Sequence, residues 1–100
     1  MTFMQTELYQ KLSSEVDTTN WEMIHPHFLR GVVYLLKVPN DLIQMGVLVA
    51  ENKAHLIQGF LAAGELYKPT ESEVEQFKND LKINFKVLII QPFVFIQRAE

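Results

Sequence analysis

The sequence predicts an α+β fold in which about four helices pack on a small two- to three-stranded sheet. Several segments place apolar residues at helical spacing and begin with residues that cap helices. Two further segments, 32–38 and 86–97, are rich in β-branched residues and apolar on both faces, which is typical of buried strands. With 100 residues, 48% of them apolar, the chain has the size and composition of one globular domain spanning 1–100.

The first predicted helix carries its apolar residues on one face, and Thr2 with Gln5 fits a capping box at its start. The residues on that face are Met4, Leu8, Tyr9, Leu12 and Val16.

A second capping box, Thr19 with Glu22, predicts another helix. That helix should be short, because a residue that precedes proline, here His25, is steered away from helical geometry. Pro26 suits the first position of a further helical turn. The apolar side of this region consists of Trp21, Ile24 and Phe28.

The predicted strand 32–38 ends at Pro39-Asn40-Asp41. The next segment, Leu42 to Ala50, is apolar all round, which suits either a buried helix or a strand paired in a hairpin. Asn40 or Asp41 as an N-cap favours the helix.

Two more helices are predicted before the final strand. Asn52 can cap a helix over 53–63 that directs Ile57, Phe60 and Leu61 inward and stops at Gly64. After the linker Lys68-Pro69, Thr70 and Glu73 form a third capping box. The apolar residues of that last helix are Val74, Phe77 and Leu81.

The closing strand, 86–97, is interrupted by Gln91 and Pro92. Because proline cannot donate to a ladder, the interruption indicates an unpaired edge or a bulge. Gln91 shares a strand face with apolar residues, so we expect it to be buried, either satisfying backbone groups near Pro92 or lining a pocket. Large aromatic side chains should dominate the core, namely Trp21, Phe28, Phe60, Phe77 and Phe93.

Charge and hydropathy narrow the classes of partner. The net charge is −3 and the basic residues are scattered, which disfavours binding to nucleic acid or to an anionic membrane surface. The longest apolar run has six residues, far short of a membrane span, and the N-terminal residues do not resemble an export signal. Without cysteine the chain has no disulfide, so a cytoplasmic location is expected.

No complete catalytic constellation can be assembled, so we predict no catalytic residue and no cofactor. His25 and His27 flank a proline and diverge, which argues against a metal site. The candidate ligand-binding residues are His27, Arg30, Lys68 and Gln91. His27 and Arg30 can share a helical face and hold an anion, and Lys68 precedes a helix N-terminus. The alternative is that these are solvated or structural side chains.

Taken together, the residues resemble the small bacterial family known as domain of unknown function 2288. The resemblance covers about residues 8–97 and rests on Trp21, Pro26-His27, Arg30-Gly31, Asp41-Leu42, Gly46, Ala50, Gly64, Lys68-Pro69-Thr70, Gln91-Pro92-Phe93-Val94 and Gln97. The family pattern often has Asp where this chain has Asn52, and Trp in place of Phe60 and Phe77. The resemblance implies a bacterial cytosolic protein and supplies no activity.

The leading hypothesis is a non-catalytic interaction or regulatory module that binds an unknown protein partner. The alternative is a small-ligand or anion-binding protein, an enzyme included, with its site at the four residues named above. We also predict a homodimer, because a small sheet with a proline-interrupted apolar strand leaves hydrophobic surface to cover. The competing outcome is a monomer whose own helices cover the sheet on both faces.

Overall fold

A computed structural model describes the backbone of residues 2–99 and the side chains from residue 7 to residue 99. Within that range the chain forms five helices and five strands. In chain order they are α1 (Thr2–Ser13), β1 (Asp17–Thr19), α2 (Trp21–Leu29), β2 (Val33–Leu36), α3 (Leu42–Ala50), α4 (Ala54–Ala62), β3 (Leu66–Tyr67), α5 (Glu71–Asn79), β4 (Phe85–Ile90) and β5 (Phe93–Arg98).

The strands form one mixed sheet in the order β1-β4-β5-β2-β3. β2 and β5 run parallel, with Val33 opposite Val94, and the other neighbours are antiparallel. The α+β class is therefore confirmed, and both predicted strand regions lie in this sheet. The predicted numbers of helices and strands were too low. The sheet also contains the short outer strands β1 and β3, and the predicted strand 86–97 is divided into β4 and β5.

Helices cover both faces of the sheet, so two hydrophobic clusters form on its two sides. On one face, α2 and α5 pack over alternate residues of the central strands, around Trp21, Phe77 and Phe85. The ring centroids of Trp21 and Phe77 lie 5.4 Å apart, and those of Phe77 and Phe85 lie 4.9 Å apart. On the other face, α1 and α3 supply Leu12 and Met45.

Two predicted helix starts are confirmed. The Asp41 carboxylate accepts from the backbone N–H groups of Ile43 and Gln44, at 2.9 and 3.1 Å, so the segment from Leu42 to Ala50 is a helix. Thr70 and Glu73 form the predicted capping box of α5. The predicted cap at Thr2 and Gln5, and the placement of Met4, fall on side chains outside the described residues.

The predicted start of α2 was displaced by one residue. Asn20, not Thr19, is the N-cap and accepts from the backbone N–H of Glu22, because Thr19 is the last residue of β1. Pro26 does not divide the helix, which runs from Trp21 to Leu29. Glu22 and Pro26 are both exposed, so water can satisfy the Glu22 carbonyl that proline leaves without a donor.

The predicted cap of α4 was wrong. Asn52 has a φ of 59°, in the left-handed region, and it lies just after the C-cap of α3 rather than at the start of α4. Lys53 occupies the N-cap position of α4 and makes no side-chain capping bond. The predicted stop holds, since Gly64 follows the helix with a φ of 74°, a conformation that glycine adopts without strain.

The predicted long strand over 86–97 is instead a hairpin. Ile90 pairs with Phe93, so the chain reverses at Gln91-Pro92 and β4 runs antiparallel to β5. A proline in the turn is not required to donate to the ladder, which is why no bulge is needed. Gln91 is consequently exposed in the turn, and the expectation that it is buried was wrong.

Other aromatic and apolar predictions are only partly correct. Trp21 and Phe77 are buried, Phe28 and Phe60 are half-buried, and Phe93 is 38% exposed. Leu81 lies beyond the end of α5 and is exposed. Among the helices described between residues 2 and 99, none is both long enough and apolar enough to cross a bilayer.

Candidate functional site

The four predicted ligand-binding residues lie towards one edge of the sheet, the edge at which the parallel strands β2 and β5 begin. His27 and Arg30 are at the end of α2, three residues or more before β2. Gln91 is in the turn that leads into β5. Lys68 follows β3, which runs antiparallel to β2, so the chain there is heading for the same edge. We call this end of the sheet, at which β2 and β5 begin, the amino edge, to be distinguished from the outer strands β1 and β3.

His27 and Arg30 are in direct contact. The distance between Arg30 Nη2 and His27 Nδ1 is 2.8 Å. Because a guanidinium only donates, His27 Nδ1 is the acceptor and the ring carries its proton on Nε2. Arg30 is exposed and His27 is half-buried, so the pair presents one cationic group at the end of α2.

Lys68 packs over an aromatic ring on the other face of the sheet. Its Nζ lies 5.7 Å from the centroid of the Tyr34 ring, a cation–π distance. Tyr34 belongs to the cluster formed with α1, α3 and α4, whereas α2 packs against the opposite cluster. The four residues thus share an edge and are distributed over its two faces. Whether they serve one ligand stays a prediction.

Helix α4 has an apolar face that the protein itself covers only in part. Leu56, Ile57, Phe60 and Leu61 fall along one side of this nine-residue helix, and none of its residues is buried. Leu56 is 54% exposed and Leu61 is 37% exposed, while Ile57 and Phe60 are half-buried. We call these four residues the α4 face. A short helix is stabilised mainly by burial of its apolar face. The α4 face is only partly buried, so part of this stabilisation is missing.

The α4 face continues into an apolar pocket at the amino edge. This pocket has a volume of about 170 Å³, and Ile57 and Leu61 form part of its wall. The sheet contributes Tyr34, Phe93 and Phe95. A cavity of about 150 Å³ holds benzene, so the pocket has room for one ring or one branched aliphatic side chain. Lys68, over the ring of Tyr34, places a positive charge beside this aromatic wall.

Several carboxylates of the described chain already bond to other groups of the protein. The Asp41 carboxylate caps α3 and accepts from the Tyr9 hydroxyl at 2.6 Å. This hydrogen bond, together with burial, raises the pKa of Tyr9. Glu65 accepts from the Asn40 amide at 2.8 Å. Asp41 and Glu65 therefore have structural roles, as acceptors of hydrogen bonds within the protein.

Tyr67 and Glu73 make a similar pair beneath α5. The Tyr67 hydroxyl donates to Glu73 Oε2 at 2.6 Å, and the Lys37 ammonium lies 5.9 Å from the Tyr67 ring centroid. Burial, and after it the bond to Glu73, raises the pKa of Tyr67 to about 12. Tyr67 thus keeps its proton across the physiological range and acts as a hydrogen-bond donor.

Comparison with known proteins places the chain in a family. The family model described as Protein of unknown function (DUF2288) matches residues 7–98. The chain belongs to this family. The DUF2288 assignment confirms the resemblance that the sequence indicated, and it brings no assigned activity.

One solved structure shares the fold. It is the NMR solution structure of PA1075 from Pseudomonas aeruginosa, which is 27% identical to this chain. The match covers 94% of this chain and 87% of that one, with a TM-score of 0.77. No curated protein matches the chain. Neither the family nor this neighbour brings a ligand or an activity to this DUF2288 protein.

Sequence reasoning missed the polar residue that the structure buries most deeply. Gln97 is 1% exposed, and its Nε2 donates to the carbonyl oxygens of Asn40 at 2.6 Å and of Lys37 at 3.5 Å. It joins the end of β5 to the loop that follows β2. The position of Gln97 late in an apolar strand could have predicted its burial. Burial was predicted instead for Gln91, which precedes a proline.

Proposed function

We propose that this DUF2288 protein is a non-catalytic interaction module whose binding surface is the α4 face with the adjoining pocket. The single observation that carries the proposal is that a helix rich in large apolar residues has none of them buried. Exposed apolar residues that adjoin one another and open into a pocket mark interaction sites. The structural roles of Asp41, Glu65 and Glu73 support a binding role rather than catalysis.

The occupant we propose is a second copy of the chain, with the two α4 helices antiparallel across a two-fold axis. Such an axis brings the same apolar patch from each copy together. Each helix would then cover Leu56, Phe60 and Leu61 of the other. One of these apolar side chains from each copy would enter the pocket of its partner.

The charges at the ends of α4 fit this arrangement. The first turn of α4 has no acidic residue and the last turn has no basic residue, so neither end of the helix dipole is compensated within the helix. Lys53 and His55 lie at its start. In an antiparallel pair the Lys53 ammonium would lie beside the negative end of the partner's helix dipole. Each copy would thereby supply the positive charge that the other helix lacks.

The molar mass in solution tests this proposal. We expect light scattering during size exclusion to give about twice 11.6 kDa for the wild type at micromolar concentration. Leu56→Arg and Leu61→Arg should each give a mass near 11.6 kDa, because each would bury an unpaired charge against apolar side chains of the partner. Leu29→Arg is the matched control, since Leu29 is 71% exposed on α2, across the sheet.

A wild-type mass near 11.6 kDa would reject the second copy as the occupant. A dimer that survives both α4 substitutions and dissociates with Leu29→Arg would reject the α4 face. The first result would leave an unrelated protein partner as the remaining form of the interaction hypothesis, and the second would place the contact between copies at α2. Backbone NMR spectra of each variant distinguish a lost contact from a lost fold.

The cellular setting belongs to the same proposal. We infer one domain over residues 1–100, acting in the bacterial cytoplasm on protein partners. The net charge of −3 and the scattered lysines and arginines support a partner other than nucleic acid.

A second candidate function is binding of a small anionic ligand at the amino edge through His27, Arg30, Lys68 and Gln91. The contact of Lys68 with Tyr34 at the aromatic pocket favours it. Benzoate, which joins one ring to one carboxylate, is a suitable probe, with benzamide as its neutral counterpart. Saturable NMR shifts with benzoate that Lys68→Met removes and Lys78→Met preserves would support this site. Equal shifts with benzamide would contradict a role for the charge.

A further inference from the structure

A second concave surface lies at the opposite edge of the sheet, where the parallel strands β2 and β5 end. It is an open groove of about 430 Å³ between the loop after β2 and the ends of the central strands. Thr18, Asn40, Lys86, Gln97 and Arg98 supply its polar lining. We call it the carboxyl-edge groove. The groove lies outside the carboxyl ends of the parallel pair β2 and β5.

Strand register sets three of the polar side chains in a row. Lys86 of β4 pairs with Thr18 of β1 on one side and with Gln97 of β5 on the other. Residues directly opposite one another in antiparallel strands project from the same face, with Cβ atoms about 5 Å apart. Thr18, Lys86 and Gln97 therefore form a polar row across three strands, on the same face as the buried side chains of Leu88 and Phe95.

Gln97 is held rigidly at the inner end of this row. Its amide nitrogen donates to the carbonyl oxygens of Asn40 and Lys37, and the side chain is 1% exposed. Both partners are acceptors, so the NH₂ group must face the loop. Gln97 thus joins the end of β5 to the loop that forms one wall of the groove.

Two of the residues that line the groove are cations, in a chain whose net charge is −3. Lys86 and Arg98 both line it, and no aspartate or glutamate is among its lining residues in the described chain. Lys86 projects from the same face of the sheet as Thr18 and Gln97. Arg98 pairs with Phe85 and so projects from the other face, which means that it meets the groove at the rim. The two cations approach the same space from different sides.

We propose that the carboxyl-edge groove binds a small organic phosphate monoester. Two cations match a phosphate monoester, which carries a charge of about −2 at neutral pH, better than they match a single carboxylate. The guanidinium and the Thr18 hydroxyl supply donors to its oxygens. The groove exceeds one phosphate in size, which leaves room for an organic part. This site is independent of the α4 face.

Titration with glycerol 3-phosphate, followed by amide NMR shifts at constant ionic strength, tests the proposal. We expect saturable shifts that are centred on Thr18, Asn40, Lys86 and Gln97, and none with glycerol. Lys86→Met and Arg98→Met should each weaken binding about tenfold or more, because each removes a charge-assisted hydrogen bond. Lys78→Met, an exposed change of the same charge on α5, should leave the affinity within about twofold.

Three results would overturn the site. One is shifts that stay linear to about 10 mM glycerol 3-phosphate, which is weaker than a specific site requires. Another is an equal loss of affinity in Lys78→Met, which would indicate general attraction to cations. The third is unchanged affinity in both Lys86→Met and Arg98→Met. Because both residues are exposed, these variants should keep the wild-type fold, and their spectra in the absence of ligand check this.

Discussion

The Tyr67–Glu73 hydrogen bond shows how a single side chain serves two purposes. Glu73 completes the capping box of α5 and also accepts from the Tyr67 hydroxyl at 2.6 Å. The carboxylate and burial both favour the protonated phenol, and they raise the pKa of Tyr67 to about 12 from an ordinary value of 10.0. The folded protein therefore holds this proton more tightly than the unfolded chain does.

We expect Glu73→Gln to lower the pKa of Tyr67 part of the way towards its ordinary value, because the charge is removed while burial remains. Tyrosinate absorbance against pH measures this, with Tyr67→Phe identifying the Tyr67 component. Glu71→Gln is the control, since Glu71 is an exposed acid in the same helical turn. An unchanged pKa in Glu73→Gln would contradict the proposed role of this hydrogen bond.

Stability should respond to pH in the same window. Below pH 10 both states carry the proton and the contribution of Tyr67 is fully present. Between pH 10 and about 12 the unfolded chain loses the proton first, so stability falls as pH rises. Tyr67→Phe should show a smaller decline over that window in urea unfolding. An equal decline in wild type and Tyr67→Phe would show that another group is responsible.

The burial of individual polar residues was predicted less well from the sequence than the helices and strands were. Gln91 and Gln97 both lie in an apolar run, and only the chain reversal at Gln91-Pro92 exposes the first while the second stays inside. That reversal depends on pairing between strands, which the local pattern does not contain. His27 and Arg30 lie in contact on one side of α2, because residues three apart in a helix are neighbours. That they hold an anion stays a prediction.

At the scale of elements, local signals predicted well where a side chain closes a helix or a run of β-branched residues fills a strand. The Asp41 cap decided α3, and the run after Gly31 gave β2. β1 and β3 were missed, because strands of three and two residues contain no recognisable alternation. Their existence depends on neighbours that are distant in sequence, Phe85–Val87 and Leu35–Leu36.

Two helical glycines give a matched test of packing. A Cβ added at Gly46 would lie 2.5 Å from Leu88 Cδ2, whereas a Cβ at Gly59 would meet nothing within 4 Å. Gly59→Ala should stabilise the protein by about 1 kcal/mol through helix propensity alone. Gly46→Ala receives the same gain but overpacks a buried site, so it should be less stable than Gly59→Ala by about 1–3 kcal/mol.

Urea unfolding of the two variants measures this difference directly. Equal stabilities would mean that Leu88, which is fully buried, moves away from position 46 without cost. That result would contradict the close packing of α3 on β4.

The two aromatic environments of the sheet predict different costs of truncation. Phe77 is 1% exposed and contacts Trp21 and Phe85, so Phe77→Ala should cost about 3–5 kcal/mol. Phe93 is 38% exposed beside the amino-edge pocket, so Phe93→Ala should cost clearly less in the monomer. Denaturant unfolding at low protein concentration compares them, and a larger loss for Phe93→Ala would contradict the placement of β5.

At the scale of the whole molecule, the fold protects its sheet and leaves a helix partly uncovered. Both sheet edges are short strands, β1 and β3, which limits pairing with other chains. Helices lie over both faces, so the uncovered strand that first suggested a dimer does not exist. Exposed apolar side chains remain on α4, where Leu56 and Leu61 adjoin a pocket, and on α2, where Met23 and Leu29 do not line that pocket. The sequence predicted the apolar face of α4. It did not predict that this face is exposed, because exposure depends on which other elements pack against the helix.

The most direct measurement of the central claim is an isotope-filtered NMR experiment on a mixture of labelled and unlabelled protein. The proposed interface predicts nuclear Overhauser effects between copies that involve the methyl groups of Leu56 and Leu61 and the ring of Phe60. These contacts should vanish in Leu56→Arg and persist in Leu29→Arg. A spectrum without contacts between copies, or with contacts confined to Met23 and Leu29 of α2, would contradict the claim that α4 is the interaction surface.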